Sequence, residues 1–74
     1  MSISQTSHGS IDLDEAARQL EQAAHDAQVA YDCISLGDLD WAHTNAITAR
    51  AEVDAAEKVL RAVLVASGDI AAGQ

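Results

Sequence analysis

The sequence predicts an all-α fold: an antiparallel two-helix hairpin with an Ala-rich heptad seam, dimerising into a four-helix bundle. Three observations predict it. The first is a pair of stripes with alternating steps of four and three residues, the spacing of helices packed lengthwise. One stripe is Leu13, Ala17, Leu20, Ala24, Ala27, Tyr31 and Ile34; the other is Ala42, Ala46, Ala49, Val53, Ala56, Leu60 and Val63. The second is a composition rich in Ala and without Pro or Phe, which favours helix over most of the chain. The third is the placing of Gly at positions 9, 37, 68 and 73, where helix is absent or ending.

Each element follows from local signals. Residues 1–11 are polar and unpatterned and read as a flexible N-terminal tail. The hairpin spans 12–67, with the first helix over about 12–36 and the second over about 38–67. Asp12 is placed to cap the first helix, with Glu15 three residues on in capping-box spacing. Gly37 is a natural stop, since glycine accepts the left-handed conformation that ends many helices. Asp38 or Asp40 caps the second helix, and Gly68 repeats the stop signal before a tail over 68–74, whose Ile70 can fold back.

An antiparallel seam then pairs large residues with small ones: Tyr31 with Ala46, Ala24 with Val53, Leu20 with Ala56, Ala17 with Leu60. Ala27 opposite Ala49 marks the expected closest approach. A second apolar row, Ala16, Ala23 and Ala30 with Ile47, Val59 and Leu64, is left over and reads as a dimer interface. A chain of 74 residues with the single cysteine Cys33 can form no internal disulfide, so a second copy or another protein is its route to stability.

Composition also bounds function. Twelve acids against four bases give a net charge of −8. That argues against direct nucleic-acid or anionic-membrane binding and favours a protein partner with a basic surface. No signal peptide or membrane span is legible, and a cytoplasmic location is expected, in the host cytoplasm if the protein is phage-encoded. An enzyme is not expected, because a two-helix hairpin offers no enclosed pocket. The conceivable Cys33–His43 pair reads as a small flank residue beside a surface one. Glu21 with His25 and Asp40 with His43 are ligand pairs too small to make a metal site, so neither metal nor cofactor is expected.

The turn end carries the candidate partner-binding site: Asp32, Asp38 and Asp40 with Leu36, Leu39 and Trp41. Trp supplies binding hot spots, and an acidic rim steers a basic partner. Further acids expected at the surface are Asp14, Glu15, Glu21, Asp26, Glu52, Asp54 and Glu57, with Asp14–Arg18, Asp54–Lys58 and Glu57–Arg61 as same-face pairs.

The segment Asp38-Leu39-Asp40-Trp41-Ala42-His43 and the Ala-rich helix after it resemble two groups. One is the small helical proteins of Pseudomonas-type bacteria with an acidic-Leu-x-Trp-Ala step between helices. The other is the short acidic all-helical proteins of phages and mobile elements, anti-CRISPR inhibitors among them. The resemblance covers the second half of the chain. It implies a non-enzymatic inhibitor acting by protein contact, competing for the basic surface of a nucleic-acid-handling complex. The alternative is a bacterial regulatory or assembly subunit that buries the apolar row of the second helix against a partner helix.

Overall fold

The computed structural model describes residues 8–68, with side chains from Asp12 onward. It contains two helices, α1 (His8–Ser35) and α2 (Leu39–Ser67), which pack against each other along their length. Helix α1 begins at His8, so Asp12 lies inside the helix and is not its cap. Nothing between His8 and Asp12 except Gly9 opposes helix, and a single glycine costs only about 1 kcal/mol. Residues 8–11, expected in the N-terminal tail, are helical, and the rest of the expected tails, 1–7 and 69–74 with Ile70, lies outside the described residues.

Three residues, Leu36–Asp38, reverse the chain. Gly37 takes φ +80°. The Asp38 N–H donates to the Cys33 carbonyl at 2.8 Å and the Gly37 N–H to the Ile34 carbonyl at 3.0 Å, the doubled bond of a Schellman ending. Asp38 then opens α2: its Oδ1 accepts from the Trp41 N–H at 3.2 Å and its carbonyl from the Ala42 N–H at 3.0 Å. One residue thus closes α1 and caps α2. Gly68, at φ +84°, ends α2 with its N–H directed to the Leu64 and Val65 carbonyls.

The seam corrects the expected packing face of α1. Among the described residues, those buried are all alanines: Ala16, Ala23 and Ala30 on α1, and Ala42, Ala49 and Ala56 on α2. Leu13, Leu20, Tyr31 and Ile34, expected in the seam, are 46, 43, 66 and 61% exposed; Ala17, Ala24 and Ala27 are exposed with them. Ala16, Ala23 and Ala30, expected at a dimer interface, lie between the chain's own helices. The reason is steric: an alanine at every seventh position on both helices lets the backbones approach to the short end of the usual 8–10 Å separation. Between the alanine steps lie half-buried residues, Gln19, Asp26 and Cys33 on α1 and Asn45, Glu52 and Val59 on α2. On α2 the sequence placed Ala42, Ala49 and Ala56 correctly. Ala46 and Val53 are exposed, and Leu60 and Val63 half-buried. Val59, expected at the dimer interface, is a seam residue.

Across the seam, Asp26 of α1 faces Glu52 of α2. The Asn45 amide is turned back to donate to the Trp41 carbonyl at 2.8 Å, which satisfies it within its own helix.

Two measurements check this seam. Ala23→Leu or Ala49→Leu should overpack it and cost roughly 1–3 kcal/mol in urea unfolding, whereas Ala51→Leu on exposed α2 surface should cost little. A Cβ added at Gly37 meets nothing within 4 Å. Gly37→Ala should therefore lose only the left-handed backbone preference, about 1–2 kcal/mol.

Candidate protein-binding site

The Gly37 ending and the Asp38 cap set the geometry of the turn end. Leu36, Leu39 and Trp41 project from it, 82, 67 and 59% exposed. Asp32, Asp38 and Asp40 are exposed beside them, so the structure brings all six predicted residues to one end of the hairpin. Asp32 Oδ1 accepts from Gln28 Nε2 at 3.0 Å, Asp38 is occupied as the cap, and Asp40 lies in the first turn of α2, where the helix dipole favours an acid. A shallow depression of about 180 Å³ is lined by Asp40, Trp41 and Thr44. That is well below the roughly 300–1,000 Å³ of a small-molecule pocket and suits a protruding side chain of a protein better.

Charges along the helices are partly neutralised. Arg18 pairs with Glu15, not with Asp14 as the sequence suggested. Lys58–Asp54, at 3.0 Å, and Arg61–Glu57, at 2.8 Å, form as predicted. A hydrogen bond from Gln19 Nε2, with the guanidinium of Arg18, holds the Glu15 carboxyl below its usual range.

Glu52 and Asp26, expected among solvated acids, are half-buried in the seam. Glu52 Oε1 is enclosed and receives no hydrogen bond. Partial burial first, and then the facing Asp26 carboxyl, push the Glu52 pKa up, with the nearby His25 a smaller opposing influence. Desolvation disfavours the charge, and one protonated carboxyl can donate to the other. A signal was available: Glu52 lies on the same heptad steps as Asn45 and Val59, one residue before the stripe the sequence reading chose.

Cys33 is half-buried in the seam, and His43 is exposed on α2. Ile47 and Leu64 are exposed. Among the described residues, no three His, Cys, Asp or Glu side chains converge on a possible metal position, and no helix is long and apolar enough to cross a membrane. No family model matches the chain, and neither a curated protein nor a solved structure is detectably similar to it.

The raised Glu52 pKa has a definite sign in stability. The folded state retains the Glu52 proton above the usual glutamate value of 4.5, where the unfolded chain releases it. The Glu52 contribution is therefore fully present below that value and is lost as pH rises through the raised one. Glu52→Gln should raise stability near neutral pH and flatten the pH dependence above 4.5, measured by urea unfolding across a pH series.

Proposed function

We propose that this chain is a binding module that acts by contact and without catalysis: an acidic inhibitor of a nucleic-acid-handling complex, of the phage anti-defence kind, that competes for a basic surface. The acting unit in this reading is a homodimer forming a four-helix bundle, in the cytoplasm. The observation that carries it is the turn end, where Leu36, Leu39 and Trp41 stand exposed on a capped turn among Asp32, Asp38 and Asp40. Exposed tryptophan on a fixed support gives an anchor at little entropic cost, and the acids steer a basic partner towards it. The net charge of −8 works in the same direction over longer range.

A second reading has its own observation. Ile47 and Leu64 remain exposed on α2, which favours a regulatory or assembly subunit laying that helix against a partner helix.

Salt separates the two. Capture of partners on the tagged protein at low and high salt should recover a nucleic-acid-binding complex only at low salt, because exposed charges are screened within about 8–10 Å at ordinary ionic strength. Changing Asp32, Asp38 and Asp40 together to Asn should abolish that capture while leaving the hairpin folded, since Asn also caps helices. Trp41→Ala should weaken it about thirtyfold, the effect of losing a hot spot of about 2 kcal/mol. A partner that survives high salt and depends on Leu64 would move the assignment to the assembly subunit.

A further inference from the structure

The three acids of the turn end are not equivalent. Asp32 Oδ1 accepts from Gln28 Nε2 at 3.0 Å, and Asp38 Oδ1 accepts from the Trp41 N–H at 3.2 Å. Among the described residues, none donates to the Asp40 carboxylate or forms an ion pair with it. Asp40 is also the one acid of the three that lines the depression of about 180 Å³, together with Trp41 and Thr44. Helical spacing brings these three together. Thr44 stands four residues beyond Asp40 and three beyond Trp41, so it is a neighbour of both one turn on, and its short side chain leaves the space between them open. Trp41 is 59% exposed, so much of its indole is uncovered. The depression thus joins an aromatic wall, an unengaged carboxylate and a hydroxyl.

We propose that this depression receives one arginine side chain of the partner protein, with the guanidinium against the Trp41 indole and its N–H groups directed to the Asp40 carboxylate. This contact rests on the acidic-tip reading of the proposed function and names the side chain that meets the tip.

The chemistry of the walls selects arginine. A cation is attracted to the negative face of an aromatic ring, and an indole offers the strongest such face. A guanidinium is planar and weakly hydrated, so it can lie on the ring and still present paired donors at its edge to a carboxylate. The lysine ammonium is a compact, strongly hydrated charge without that flat face or paired edge, and it gains less here. An apolar side chain is disfavoured, because it would take the Asp40 carboxylate out of water without giving it a partner. An anion is disfavoured too: Asp38 and Asp40 carry two negative charges, against roughly half a positive charge at the start of α2. The depression opens to solvent, which suits a side chain entering from the surface of another protein.

Trp41 is the only tryptophan of the chain, so its indole N–H gives one reporter signal. The full chain is titrated with N-acetyl-arginine amide at constant ionic strength, and that signal is followed by proton NMR. Parallel titrations use the matching lysine amide and the uncharged citrulline amide. Arginine should give a saturable shift with a Kd of roughly tens of millimolar, the scale of one cation–π contact joined to one exposed ion pair. Lysine should bind about threefold more weakly, and citrulline should give no saturable shift. Asp40→Asn should raise the arginine Kd roughly three- to fivefold. Asp32→Asn removes an equal charge from the same end of the hairpin and should leave the Kd within about 1.5-fold. Circular dichroism of both variants should match the parent chain.

Absence of a saturable arginine shift overturns the proposal. So does equal binding of lysine, or an Asp32→Asn effect as large as that of Asp40→Asn, either of which would mean attraction by general charge alone. Partner capture that is lost at high salt, with no arginine binding at Trp41, overturns this contact and leaves the acidic-tip reading standing. Arginine binding with no salt-sensitive capture does the reverse.

Discussion

The contact between two alanine ladders is the constraint from which the rest of the structure follows. Ala16, Ala23 and Ala30 of α1 and Ala42, Ala49 and Ala56 of α2 are buried between the helices, and among the described residues no larger side chain is fully enclosed. Methyl groups at every seventh position permit a close approach of the two helices. Close approach consumes the small residues and turns the large ones outward. Leu13, Leu20, Tyr31 and Ile34 are exposed because the face opposite α2 is already filled by alanine. The hairpin is thereby a well-formed local structure with little core of its own, a condition that small chains relieve by association.

The same closeness explains why four of the twelve seam residues are polar. At the steps between alanines there is room for a side chain that lies along the groove and reaches its edge. Asn45 turns to the Trp41 carbonyl, Gln19 to Glu15, and Asp26 and Glu52 share one space. Asn45 and Gln19 are satisfied within their own helices, so of these groups only Asp26 and Glu52 meet across the seam. Glu52 is the exception within this set, an acid facing an acid, and it makes the seam sensitive to protonation.

Much of the fold was legible. Gly37, Asp38 and Gly68 carry their conformational requirements in their own chemistry, so both helix ends beside them could be read from the sequence. The α2 alanines were legible because their stripe contains few larger competitors. On α1 two stripes compete, one of Leu, Tyr and Ile and one of Ala interleaved with Gln and Asp. Periodicity weighted by hydrophobicity selects the first, while close packing selects the second. The missed start of α1 has a related cause: a capping residue marks where a helix can begin, and only an effective breaker compels it to. The turn-end residues were legible because a short reversal brings neighbours in sequence together. The Asp26–Glu52 contact was not, since it joins two residues across the seam and depends on the face of α1 that was misread.

The three surfaces of the hairpin are therefore consequences of one choice of seam. Had α1 packed through its leucines, the alanine row would have faced outward and the large side chains would have been enclosed against α2. Packing through alanine keeps them available at the surface. The turn is indifferent to this choice, because its geometry comes from Gly37 and Asp38 alone. A recognition tip built on that turn can thus change its exposed side chains without disturbing the seam, while the seam and the apolar face are bound to each other through the rotation of α1.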